Sequence, residues 1–228
     1  MATKKNEETI IINNEPMRKR VMRVKLVGDA PLIVHAWAEK AKKEILEKQQ
    51  KKASKGKESR DPVKEFVAGL YILDEAGERY ATMPEDVAAL DKDSQEDEVN
   101  AVLSKYRYGF PAVAVKACMI DTAYQQGLIA KKTTARGAIR IPGEYIQIDG
   151  IPTIREDMVM IGGMSKVADL RYRPEFRNWS ATVTIEYLEN SVSAEQVFQW
   201  LQYGGFCSGI GEWRPSKDGS FGTFHPEA

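Results

Sequence analysis

Histidine and cysteine are scarce in this chain of 228 residues, which holds two of each: His35, His225, Cys118 and Cys207. Four residues so dispersed assemble no zinc spacing, so no metal is expected. Two cysteines without a pairing motif fit a reducing compartment better than a disulfide scaffold. Long apolar runs are also missing. None approaches the ~20 residues that cross a bilayer, and the polar N-terminus lacks the apolar core of a signal peptide. The chain therefore reads as intracellular, with no membrane association. Catalytic signatures are lacking as well: there is no GxxxxGK[ST], HExxH or GxSxG, and no DxD in a convincing context. No cofactor is expected.

Net charge is absent overall, with 33 Lys and Arg against 33 Asp and Glu. Locally it is strong. Residues 16–60 hold fourteen bases and five acids, whereas residues 74–98 hold ten acids and two bases. Such polarity suits separate basic and acidic faces, or a head-to-tail contact between subunits.

Residues 1–17 read as a flexible tail interrupted by Ile10-Ile11-Ile12, either a stray edge strand or a tail that docks on a neighbour. From Arg20 to Val27 the alternation is that of a half-buried strand, with Met22, Val24 and Leu26 inward and Arg23 and Lys25 outward. A lysine-rich helix is expected from about Ala36 to Ala53. A second helix starts at Asp61-Pro62, with Asp61 as N-cap. Residues 84–105 read as an acidic, partly helical surface insertion. Gly109-Phe110-Pro111 opens an amphipathic helix striped by Ala112, Val115, Met119 and Ala123. The segment 131–141 is basic and free of acids. Short strands follow at 145–148 and 155–161, and the segment from Ala168 to Arg173, which carries Arg171 and Arg173, is ended by Pro174. Trp179 to Leu188 is the strongest strand signal. Ser193 and Gln196 form a capping box for a helix.

The last segment, Tyr203 to Phe224, reads YGGFCSGIGEWRPSKDGSFGTF. Its glycines Gly204, Gly205, Gly209, Gly211, Gly219 and Gly222 are interleaved with Phe206, Trp213, Phe221 and Phe224. Glycine admits close backbone approach, either to a ligand or to the fold itself, and a short strand over 219–224 is expected to close the segment. The order of elements implies α+β: a ferredoxin-like or RRM-like antiparallel core in a single domain over 18–228, with helical and acidic insertions at about 36–60 and 84–105.

GDAPLIVHAW (28–37), RYRPEFRNWSATVTIEY (171–187) and the glycine segment resemble a widespread family of bacteriophage proteins, which implies an infected host cell as the setting. YGFPAVAVKACMIDTA (108–123) resembles a helix start in the backbone subunits of the RAMP superfamily of CRISPR proteins. Lys116 matches that motif, and Ala117 stands where the motif has glycine. GGFCSGIGEW resembles the glycine-rich loop of the same superfamily. That resemblance implies an RRM-like core and oligomerisation along RNA, and its nuclease branch carries an early histidine in roughly the place of His35.

Basic segments interleaved with aromatic residues are the pattern of single-stranded RNA or DNA binding. Arg23, Lys25, Lys131, Lys132, Arg136 and Arg140, with Arg171, Arg173 and Arg214, are candidates to track phosphates. Tyr172 and Trp213 are candidates to stack on bases, and the backbone of Gly204, Gly205, Gly209 and Gly211 is a candidate for close approach. Two alternatives stand beside this reading. One is a metal-independent endoribonuclease using His35 as base. The other is a homo-oligomeric phage assembly subunit with no nucleic-acid role.

Overall fold

The computed structural model describes residues 16–36, 60–161 and 167–227. The expected lysine helix, the Ile10–Ile12 run and the 162–166 connector lie outside them.

Strand β1 (Lys19–Gly28) pairs antiparallel along its length with β9 (Ser180–Leu188), and its C-terminal end pairs with β10 (Phe224–Glu227) on the other side. Beyond β9 lie β6 (Tyr145–Asp149), β4 (Arg107–Pro111) and β3 (Ile72–Leu73), giving the order β10-β1-β9-β6-β4-β3. The short β5 (Ile139–Arg140) also pairs with β9. The four strands β10, β1, β9 and β6 hold the relation of a ferredoxin-like sheet: the first strand sits between the third and the last, and the second lies outside the third. Two helices, α4 (Ala112–Gln125) and α6 (Ala194–Tyr203), pack against each other and connect those strands. The fold is α+β.

The register follows from alternation. Met22, Val24 and Leu26 oppose Ile185, Val183 and Ala181 on the core face, and Arg23 and Lys25 oppose Thr184 and Thr182 on the open face. A one-residue slip would move every apolar side chain into water. On α4, Ala112, Val115, Met119 and Ala123 are all buried at helical spacing. Burying each large member contributes about 1.5–3 kcal/mol. Asp61 caps α1 (Pro62–Ala68) by accepting from the Lys64 N–H, and the Ser193–Gln196 capping box is formed at α6.

A second sheet, β2-β8-β7, joins β2 (Leu32–Ile33) to a long hairpin of β7 (Pro152–Ile161) and β8 (Val167–Phe176). This hairpin is inserted between β6 and β9, and α1 packs against it.

Three local expectations are corrected, and one segment gains an element. Arg107–Pro111 is a strand rather than the opening of a helix; Tyr108, Gly109 and Phe110 are all buried, so this strand shows no alternation to read. The basic segment 131–141 is mostly helix α5 (Lys132–Ala138). Strand β8 runs through Pro174, which its partner Ile154 and the Val34 N–H bound to its carbonyl both accommodate. The last strand begins at Phe224, because Phe221 and Gly222 donate instead to the carbonyls of Trp213 and Pro31. In the acidic stretch, α2 (Glu85–Ala88) and α3 (Glu96–Leu103) expose carboxylates but bury Val87, Val99 and Leu103 in the main core, joined by Leu90 just after α2.

Candidate nucleic-acid interface

Two clefts meet at Tyr71. The larger, about 690 Å³, is lined by Tyr71, Arg79, Lys116, Arg140, Tyr145 and neighbouring residues of the 141–144 turn. The smaller, about 300 Å³, is lined by Tyr71, His35, Ser208, Gly211, Glu212 and Arg214 among others. Tyr71 stands 5.5 Å from Tyr145, centroid to centroid, and the Arg79 guanidinium lies 5.3 Å from the Tyr71 ring centre. The wall between the clefts is therefore aromatic and capped by a cation.

The larger cleft is electrostatically uneven. Lys116 Nζ donates to the carbonyls of Arg136 (2.8 Å) and Ile139 (2.6 Å). An ammonium has three N–H groups, so one remains for a ligand. Burial, followed by the Arg140 and Arg136 charges, lowers the Lys116 pKa, and a bound anion would relieve that repulsion. The carboxylates nearby are engaged: Glu144 accepts from the Tyr145 hydroxyl, and Glu186 pairs with Lys19 at 2.9 Å. Arg140 has no ion pair among the described residues.

In the smaller cleft, His35 is held below its ordinary pKa by burial first and by the charge of Arg173 next, with Glu212 opposing. Both effects favour the neutral imidazole. Arg214 is anchored by hydrogen bonds to the Gly211 carbonyl (2.8 Å) and Ser216 Oγ (2.9 Å), with no carboxylate partner among the described residues.

The sequence candidates are distributed unequally around this double cleft. Arg140, Gly209, Gly211 and Arg214 line it. Arg171 and Arg173 act on His35 electrostatically, but each is paired, with Asp169 (2.9 Å) and Asp157 (3.2 Å). Tyr172, between them in a strand, faces the other side of the hairpin. Lys132 and Arg136 share Asp121, at 2.9 and 3.7 Å. Lys131 lines a separate small groove beside Trp200. Arg23 and Lys25 project from the open sheet face, where Lys25 is paired with Glu227 at 3.1 Å.

The glycine segment is folded tightly onto its own chain. Gly204 and Gly205 sit in a π-turn (Gly204–Ser208) continuing α6, and a Cβ on Gly205 would collide with the Phe224 carbonyl. At Gly211 φ is +82°, and a Cβ would strike the Ile33 carbonyl. The backbone N–H of its neighbour Glu212 donates to that same carbonyl at 2.9 Å, which ties the segment to β2. Trp213 is a non-glycine residue at φ 52°, an uncommon conformation for a bulky side chain, and the residue is 43% exposed. Phe206, 79% exposed, is the most exposed aromatic of the segment.

Tyr71, Arg79 and Tyr145 were not legible as site residues. Tyr71 has the helical spacing of a core residue, and Arg79 falls in an acidic stretch. Only β4 and the 141–144 turn bring them together. Among the described residues no cluster of three His, Cys, Asp or Glu side chains could hold a metal ion, and no helix is long and apolar enough to cross a membrane.

No family model and no curated protein matches this chain. Among solved structures it is similar to the crystal structure of Cmr6 from Pyrococcus furiosus, with 11% identity over 93% of this chain and 100% of that one, and a TM-score of 0.35. A likeness that loose carries no functional argument, and the fold class rests on the strand order itself.

Proposed function

We propose that this chain binds single-stranded nucleic acid in the double cleft centred on Tyr71. The observation that carries this reading is the pairing of an aromatic wall, Tyr71 and Tyr145, with Lys116, Arg140 and Arg214, whose remaining donors have no carboxylate partner among the described residues. Single strands are held by cations that follow the phosphates and by rings on which bases stack. The ligand is RNA or DNA, and several copies lie along one strand. The resemblance of the glycine segment to bacteriophage chains supports an infected cell as the setting. Filter binding of 20-nucleotide single strands of RNA and DNA, titrated with salt, tests the reading. Salt-sensitive retention of at least one is expected, and absent or salt-insensitive retention of both refutes it.

His35 favours a second reading, cleavage of the bound strand. A neutral imidazole in a cleft beside Arg173 can accept a ribose 2′-hydroxyl proton. RNA cleavage that His35→Ala abolishes supports this; equal cleavage by both proteins, or none by either, removes it.

A further inference from the structure

The two halves of the double cleft differ in charge. Arg79, Lys116 and Arg140 line the larger half, where Glu144 is bonded to Tyr145 and Glu186 is paired with Lys19. In the smaller half, among the described residues, two carboxylates face the opening. One, Asp121, is shared by Lys132 and Arg136 at 2.9 and 3.7 Å. The other, Glu212, stands with Arg214 on the glycine segment. A carboxylate repels phosphate, so the backbone of a bound strand belongs to the larger half and the smaller half takes a base. Its volume, about 300 Å³, is at the lower end for small-molecule clefts.

Glu212 and Arg214 are both fixed by contacts to the backbone. The Glu212 N–H donates to the Ile33 carbonyl at 2.9 Å. Arg214 donates from Nη1 to the Gly211 carbonyl at 2.8 Å and from Nε to Ser216 Oγ at 2.9 Å. Those bonds use two of a guanidinium's five N–H groups. The Glu212 charge reaches both rings that line this half. Burial raises the Tyr71 pKa, Arg79 opposes the rise and Glu212 adds to it. Burial and Arg173 lower the His35 pKa, and Glu212 opposes them. The apolar wall is formed by Tyr71 and Phe110, edge to face with ring centres 6.3 Å apart.

We propose that the smaller half is a guanine pocket, in which Glu212 accepts from N1–H and the N2 amino group and Arg214 donates to O6 and N7. This inference rests on the double cleft binding a single strand. Guanine alone among the common bases offers two adjacent donors on one edge and two acceptors on the next. Adenine and cytosine each set a donor beside an acceptor, and uracil sets one N–H between two carbonyls. Each of those three gives a carboxylate one bond at most and turns an acceptor towards it. Tyr71 and Phe110 supply the apolar wall against which the base lies. Glu212 is then the residue that determines specificity.

Competition on the full-length chain tests this. Labelled oligouridine of 20 nucleotides is bound, followed by fluorescence anisotropy, and displaced with guanosine, inosine, adenosine or uridine 5′-monophosphate. Guanosine monophosphate is expected to displace it at a concentration about tenfold lower than the adenosine and uridine nucleotides, the discrimination of one bidentate pair. Inosine, which lacks the N2 amino group, is expected to fall between. Glu212→Gln is expected to bind oligouridine with the parent's salt slope, because it removes no phosphate contact, and to lose the preference for guanosine. Displacement by all four nucleotides at equal concentrations, or by none, overturns the inference and leaves strand binding standing. A guanosine preference that survives in Glu212→Gln overturns the role of Glu212. Failure of the parent to bind oligouridine at any salt concentration removes the strand reading and this inference with it.

Discussion

The double cleft makes a quantitative prediction about salt. Three cations there, Lys116, Arg140 and Arg214, have donors free of carboxylates among the described residues. For single strands, each phosphate neutralised contributes about 0.7 to the slope of log K against log salt, so three contacts predict a slope of about −2. Raising salt from about 50 to about 200 mM should then weaken binding by roughly 18-fold. Arg140→Gln removes one contact, lowers the slope to about −1.4 and cuts the same salt effect to about sevenfold. Arg23→Gln on the open sheet face is the control and should leave the slope unchanged. The assay is fluorescence anisotropy of a labelled 20-nucleotide strand at five salt concentrations. A slope that responds to Arg23→Gln and not to Arg140→Gln refutes the reasoning, because the strand then lies on the open sheet face.

Three further outcomes follow from the same geometry. Gly211→Ala should cost about 2–3 kcal/mol in a denaturant melt, combining about 1–2 for the left-handed conformation and about 1 for the displaced Glu212–Ile33 hydrogen bond. Gly77→Ala, at φ +83° with open space around its Cβ, should cost only the conformational part, and equal costs for the two would refute the close-approach account. His35 has a folded pKa below 6.5, so the unfolded chain binds the proton more readily; its contribution to stability is constant above about pH 6.5 and falls as pH drops towards the folded pKa. His35→Gln should flatten that acid limb of a melting-temperature profile, and an unchanged limb refutes the assignment. Ser193→Ala should cost about 1 kcal/mol by removing the α6 cap, and a loss under a few tenths in the same melts would show the box to be idle.

Local rules made much of the fold legible. The alternation of Met22, Val24 and Leu26 and that of Ala181, Val183 and Ile185 each name a strand face, and the register then joins the two faces in one core. Asp61 and Ser193 mark helix starts because cap chemistry is decided within four residues. Strand β4 was hidden because burial on both sides erases alternation. Strand β10 was misplaced because Phe221 and Gly222 answer to Trp213 and Pro31, partners that no local pattern announces.

The candidate site divides along the same line. Arg140, Arg214 and the glycine segment stood out by residue type alone. Whether a cation is free to meet a ligand depends on carboxylates distant in sequence: Glu227 takes Lys25, Asp157 takes Arg173 and Asp121 takes Lys132. Glycine content announced close approach, and only the packed chain showed that Gly205 and Gly211 spend it on Phe224 and Ile33. The sequence by itself determined the α+β class, the inward faces and the helix caps, because those rest on periodicity and short-range hydrogen bonds. Tertiary structure alone decided that Tyr71 joins two clefts and which cations remain available there, because both depend on contacts between residues far apart along the chain.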